Sequence, residues 1–373
     1  MIKKEVLELR KHFAKDKSIL TRIAGCYVNG EKEKQTVFSE AFFSIPEEEC
    51  FKYYELFRKA LSGTIGKNLL NLDFTREAYE EGGSSSLMLA LRSSRLKDDA
   101  LLEQFYDRII ETYHTLEHYL ILLVHGAYDV PGKTSDGCEL EDASEEVYDY
   151  VLCALCPVKP AKGCLHYDAG ENCFCHRMPD RLVELPAHGF LFPRFDDRSS
   201  NIHGVLYYSG NGETIFEDFI RELLACEAPL PAGEQKESFQ TLVSEILQED
   251  CTYETVTAIH EQLARRVEEA KDMPEPLVID KAELRTLLVQ SGVDGEHVSD
   301  MERRMESGES ESGSVYMAGN IAPAKMEIKT PNITIKVAPE FAGLIETRMV
   351  DGRKCLVIGI DDNVTVNGIS VKG

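Results

Sequence analysis

The stretch Pro186 to Gly210, PAHGFLFPRFDDRSSNIHGVLYYSG, constrains this chain more than any other. Phe190, Leu191 and Phe192 form an apolar run that ends at Pro193. Val205, Leu206, Tyr207 and Tyr208 form a second run that ends at Gly210. Short, continuous apolar runs are the pattern of strands covered on both faces. Between them, Asp196, Asp197 and Arg198 belong to a polar connection at the lip of a sheet, where binding residues tend to collect. A sheet covered on both faces needs further strands and helices around it. Tyr119–Val124 and Val147–Val158 are two more apolar runs and the expected strand partners.

The remaining elements follow from local signals. Residues 1–20 read as a helix with a partial apolar face at Ile2, Val6, Leu7 and Leu9. Ile23–Val28 and Thr36–Phe43 read as strands joined by a turn at Asn29-Gly30. Pro46 and three glutamates open a helix running to about residue 61, with Phe51, Tyr54, Phe57 and Leu61 at helical spacing. Gly82–Ser86 reads as a loop. Asp98–Tyr113 is an amphipathic helix, Thr214–Ala225 is another, and residues 234–272 give two more, split near Asp250-Cys251. Asp280 caps a short helix that Gly292 terminates. SGESESGS at Ser307–Ser314 has the composition of a linker. Beyond it the pattern turns to period two, with a hairpin signal at Asp351-Gly352. The fold class is α+β: a mixed sheet with flanking helices over 1–230, an acidic helical segment over 231–306, a linker over 307–319 and a small β domain over 320–373.

The net charge is −24, and the segment 241–313 alone carries 18 acids against 7 bases. Such a surface repels phosphate backbones and anionic membranes, so nucleic acid could bind only through a local basic patch. Residues 1–22, with seven bases against three acids, are the candidate patch. Apolar runs such as Leu120–Val124 are far short of the roughly 20 residues a membrane helix needs. Residues 1–22 show no apolar signal-peptide core. With eleven cysteines, the expectation is a cytoplasmic protein with reduced thiols.

Three constellations could carry chemistry. Five cysteines fall between positions 153 and 176. Cys153 and Cys156 stand three apart in an expected strand and so point to opposite faces. Cys164, His166, Cys173 and Cys175 instead form two i, i+2 pairs that a hairpin through Asp168-Ala169-Gly170 would bring to one face, a candidate structural zinc clip. The plainer alternative is a surface hairpin with unligated thiols. Asp196, Asp197 and Arg198 are the second candidate, as an anion or hard-cation site or as an ion-paired turn. His114, His118 and His125 lie close in sequence and are the third. Gly132-Lys133-Thr134 lacks the earlier glycine of a phosphate loop, and Gly63–Asn68 lacks both its spacing and its hydroxyl. No nucleophile elbow, zinc-protease helix or dinucleotide fingerprint occurs. No cofactor other than that zinc is expected.

Ala24–Asn29, Leu61–Thr64 through Asn68-Leu69, Tyr128–Pro131 and Gly189–Asn201 together resemble an uncharacterised bacterial, Firmicutes-type domain-of-unknown-function family over nearly the whole chain. That resemblance implies a bacterial, intracellular protein and brings no activity with it. The layout is also similar to that of the bacterial nucleoid-associated protein family: a strand-rich body with FDDR, acidic helices, then a β region reading NITIKVAPEF and IETRMVDGRKCLVI. The expected function is non-enzymatic binding or interaction, nucleoid-associated in type, with a protein partner or self-association. The alternative is a metal- or phosphate-dependent enzyme built on Asp196, Asp197 and Arg198.

Overall fold

The computed structural model describes residues 1–133, 139–161, 163–177, 181–299, 303, 315–323, 325–359, 364–366 and 369–371. The backbone forms two compact units, Met1–Pro231 and Ala232–Gly373. Together they bear out the α+β class.

The first unit opens with α1 (Lys3–Arg10), shorter than the helix expected to residue 20. Between residues 11 and 18 Phe13 is the one buried apolar side chain, so nothing sustains further turns. Strand β1 (Leu20–Val28) follows directly and pairs antiparallel with β2 (Lys34–Ala41). The turn between them uses Lys32, at φ 63°, rather than Gly30 as its left-handed residue. Helix α2 (Glu47–Ala60) buries Tyr54 and Phe57, while Phe51 points outward. Strand β3 (Leu69–Asp73) precedes α3 (Ser84–Ser94), where the sequence suggested only a loop. Leu87, Met88 and Leu91 give α3 its buried face, and this packing outweighs the weak helix preference of its three leading serines. Helix α4 (Asp99–Thr112) starts at Asp98, whose carboxylate accepts from the amides of Ala100 and Leu101.

Two long strands, β4 (His118–Lys133) and β5 (Glu139–Lys159), run through the middle of the unit. A small hairpin of β6 (Cys164–Asp168) and β7 (Cys173–Arg177) comes next, then β8 (Leu182–Val183), which pairs with β5. The stretch at 186–210 becomes β9 (His188–Phe192), a hairpin of β10 (Arg194–Asp196) and β11 (Ser199–Asn201), and β12 (Gly204–Ser209). The large sheet has the order β2-β1-β4-β5-β9-β12-β3, with antiparallel pairing at every step. Thus β9 pairs with β5 as expected, but its other neighbour is β12, and β4 lies one strand further away. The helix expected at 214–225 is reduced to a π-helical turn at Phe219–Leu223.

Both faces of this sheet are covered, which explains the continuous apolar runs. On one face Leu91, Phe105, Ile109 and Phe219 pack over Ala24, Leu123, Cys153 and Phe190. On the other, Leu9, Phe13, Tyr54 and Phe57 pack over Ile23, Leu122, Leu152 and Leu206. Cys153 belongs to the first core and Cys156 to the second, so the pair does point to opposite faces. A wholly buried phenylalanine such as Phe105 contributes roughly 2–3 kcal/mol relative to its exposed state.

The second unit contains α5 (Ala232–Leu247), α6 (Tyr253–Glu269), β13 (Val278–Ile279) and α7 (Lys281–Gln290). Thr252 caps α6 and Asp280 caps α7 through their side-chain oxygens. Strand β14 (Tyr316–Met317) pairs with β13 and leads into the short α8 (Ala318–Ile321). Phe239, Leu242, Leu263, Leu287, Tyr316 and Ile321 lie in its core. Of the expected linker, residues 307–314 lie outside the described residues. The C-terminal β region is a set of two-stranded hairpins: β15 (Met326–Lys329) with β16 (Thr334–Val337), β17 (Ile345–Val350) with β18 (Arg353–Ile358), and β19 (Val364–Val366) with β20 (Ile369–Val371). Asp351 and Gly352, both at positive φ, make the β17–β18 turn as the sequence suggested.

Candidate functional site

Asp196 pairs across the β10–β11 hairpin with Ser199, leaving Asp197 and Arg198 as a two-residue turn. Both are left-handed, at φ 50° and 61°, the pattern of a type I′ hairpin. Aspartate tolerates this conformation; arginine pays about 1–2 kcal/mol for it. Contacts of the Arg198 guanidinium offset that strain. Its Nη2 donates to the Pro131 carbonyl at 3.0 Å and lies 3.4 Å from the Glu8 carboxylate. A hydrogen bond to a charged group is worth about 1.5–3 kcal/mol, enough to balance the turn.

Asp196 has different partners from Arg198. Its Oδ2 accepts from Arg194 Nε at 2.6 Å and Asn201 Nδ2 at 2.7 Å, and its Oδ1 accepts from the Met1 amino group. Burial opposes its ionisation, but these three donors outweigh burial and hold its carboxyl below the ordinary value. Arg194 also reaches Asp73 Oδ1 at 2.9 Å. The three sequence-picked residues are therefore neighbours in the chain with separate partners: Asp196 joins Arg194, Arg198 joins Glu8, and Asp197 is exposed.

Asp197 and Arg198 do line a cavity of about 540 Å³, together with Lys4, Glu5 and Glu8 of α1 and Glu146 of β5. Glu8 also accepts from the Tyr128 hydroxyl at 2.8 Å, and Glu146 accepts from the Ser200 amide at 3.0 Å. The side chains of Lys4 and Asp197 make no hydrogen bond or ion pair among the described residues. The wall thus carries four carboxylates against two cations.

A second polar cluster is built on His125, with partners that sequence reasoning did not name. A bulge between Leu20 and Arg22 of β1 turns Thr21 toward His125 of β4. Thr21 Oγ1 lies 2.7 Å from His125 Nδ1, and Asp149 Oδ1 lies 3.7 Å from Nε2, too far for a hydrogen bond. A Thr21 hydroxyl donating to Nδ1, with Nε2–H toward Asp149, is the tautomer that suits both neighbours. His125 is wholly buried, and burial pushes its pKa down to about 4; Asp149 opposes this shift, and Arg95, Arg92 and Lys97 reinforce it. The imidazole is therefore neutral at pH 7. The signal was present in the strand's alternation, since His125 has the parity of Ile121 and Leu123, which face the same core. Its sequence neighbours go elsewhere: His118 bonds Tyr27 and His114 bonds Lys32. The three histidines do not converge.

Gly63–Asn68 is an ordinary tight turn closed by Asn68, whose Oδ1 accepts from the Thr64 amide at 3.2 Å. Thr134, which would end the other phosphate-loop near miss, lies outside the described residues. In the β6–β7 hairpin, His166 stands opposite Cys175, and Asp168 opposite Cys173. Cys173 is exposed, Cys175 is half-buried, and both are free thiols. The side chains of Cys164 and His166 lie outside the described residues. Among the described residues, no three His, Cys, Asp or Glu side chains come together as a metal site.

Among the described residues no helix is long and apolar enough to cross a membrane. No curated protein and no solved structure matches the chain. A family model, the domain of unknown function DUF4317, matches residues 1–369. It spans both units up to the first residue of β20, so the chain belongs to the DUF4317 family of domains of unknown function.

Proposed function

We propose that this protein is a non-enzymatic binding protein, with the cavity beside the Asp197-Arg198 turn as the ligand site of its first unit. The observation that carries this reading is the engagement of the groups that chemistry would need. Asp196 holds three donors and stands outside the cavity lining, and Arg198, tied to Pro131 and Glu8, acts as part of the wall. A cavity of about 540 Å³ is of small-molecule size. Its excess of carboxylates favours a ligand with an amino group near Asp197, and Lys4 offers a partner for a carboxylate on the same ligand. Exposed thiols at Cys173 and Cys251 suit a reducing cytoplasm.

Calorimetric titration of the full chain with amino acids, polyamines and simple anions tests the reading. An amine-bearing ligand binds, and Asp197→Asn weakens it roughly tenfold, the loss of about 1.4 kcal/mol of charge-assisted contact. Binding of anions alone, or equal binding by Asp197→Asn, overturns it. The nucleoid-associated version is tested by a gel shift with duplex DNA at low salt. It would require the lysines of residues 1–22, of which Lys15 is already paired with Glu47.

A further inference from the structure

The second unit contains a cavity of about 460 Å³ along the first half of α6, at the end of α8 and against β15. Its chemistry is opposite to that of the cavity in the first unit. Lys236, Lys325 and Lys329 line it, and Glu327 is the one carboxylate on its wall. Glu327 is already paired, 3.1 Å from Lys329 and 3.3 Å from Lys336. The side chains of Lys236 and Lys325 have no hydrogen bond or ion pair among the described residues. In a chain of net charge −24, with acids available for pairing almost everywhere, two unpaired lysines facing one cavity are a specific arrangement.

The wall between them carries the remaining polar groups. Tyr253, Thr257 and His260 lie at three- and four-residue spacing along α6 and line the same cavity. The Tyr253 and Thr257 hydroxyls reach only the Met326 sulfur at 3.9 Å and, for Tyr253, the Ala342 carbonyl at 3.4 Å. The Nδ1 of His260 is buried with no hydrogen-bond partner among the described residues. A buried donor without a partner costs about 1–3 kcal/mol, so a group that satisfies it on binding recovers that cost. Burial and the nearby Lys236 hold the His260 pKa below its ordinary value, so the ring is neutral at pH 7 and can present Nδ1–H. Val256, Ile321 and Met326 add apolar surface to the lining.

We infer that this cavity binds a small molecule carrying a phosphate group on an apolar body. Lys236 and Lys325 hold the anion, His260 Nδ1–H donates to it, and Val256, Ile321 and Met326 receive the body. Two ammonium groups and a neutral donor match a dianion better than a singly charged carboxylate. This site stands on residues of the second unit alone and is independent of the reading of the first.

Phenyl phosphate is the probe, with inorganic phosphate, benzoate and phenol as comparisons, each titrated calorimetrically into the full chain. Phenyl phosphate binds at least tenfold more tightly than any of the three. The double variant Lys236→Gln, Lys325→Gln weakens it at least tenfold, and His260→Gln weakens it several-fold. Lys271→Gln, which removes a lysine paired with Glu268 in the same unit, leaves it unchanged. Both target lysines are exposed, so the double variant keeps its core, which its melting curve verifies. Bound phosphate also raises the His260 titration midpoint, read from its imidazole proton resonance. The inference falls if phenyl phosphate does not bind at millimolar concentration. It falls equally if the double variant binds it as the wild type does, or if phenol binds as tightly.

Discussion

His125 gives the first unit a pH dependence that can be worked through. Its pKa in the fold is about 4, against 6.5 for a free histidine. As pH falls through 6.5 the unfolded chain takes up a proton here, while the folded chain stays neutral until near 4. The unfolded state binds more protons across that window, so stability that is full above pH 6.5 is lost as pH falls. Between pH 7.5 and 5 this residue alone removes about 2 kcal/mol, and the loss approaches about 3 kcal/mol below pH 4. Urea unfolding of the first unit, followed by tyrosine near-ultraviolet circular dichroism at several pH values, measures it. His125→Gln is the matched variant, because its amide can still meet Thr21 and Asp149. It is less stable at pH 7.5, but its loss between pH 7.5 and 5 is smaller than the wild type's by about 2 kcal/mol. His188, which burial also holds at about 4, contributes equally to both proteins, so the difference isolates His125. Parallel pH profiles for the two proteins, or a folded-state imidazole titration centred between 6 and 7, would refute the reasoning.

Three further outcomes follow from buried groups. The Tyr106 hydroxyl is buried without a partner among the described residues, whereas the Tyr148 hydroxyl donates to the Pro193 carbonyl at 2.6 Å. Tyr106→Phe should therefore leave stability unchanged or raise it by up to about 1 kcal/mol, and Tyr148→Phe should lower it by about 1–2 kcal/mol, both read from urea midpoints. A Cβ at Gly189 would lie 2.4 Å from the Cys153 carbonyl oxygen of the paired strand, so Gly189→Ala should cost about 1–3 kcal/mol and lower the melting temperature by several degrees. Iodoacetamide on the native chain should label the exposed Cys173 and Cys251 first. Burial pushes the thiol of Cys26 up to about 11 and those of Cys156 and Cys226 up to about 12. Mass spectrometry showing Cys226 labelled as fast as Cys173 would contradict this.

What the sequence made legible was chemistry that acts over a few residues. Glutamates after Pro46, the Asp98 and Asp280 caps, the Asp351-Gly352 turn and the opposite faces of Cys153 and Cys156 all depend on local geometry, and all are found. Helix α3 was hidden because its leading serines favour loops, and only packing of Leu87, Met88 and Leu91 overrides them. Of the two strands expected beside the 186–210 stretch, β5 does pair with β9 but β4 does not, because neighbour order in a sheet is decided by long-range pairing. The 197–198 turn was legible as a polar connection, but the lysine and glutamates of α1 that complete its cavity are far away in sequence. The same holds for Thr21 with His125, and for Lys236 with Lys325, which no local pattern connects.

The strand order of the first unit has a consequence for the protein's birth on the ribosome. Among the described residues its edge strand β3 pairs with β12 alone, where Asp73 meets Gly204. A nascent chain that has released β3 must hold that apolar strand unpaired until more than a hundred further residues have emerged. Such non-local pairing slows folding and leaves a sticky edge exposed in the meantime. The first unit should therefore be reached late and all at once, and chains cut short before residue 209 should aggregate rather than fold in part.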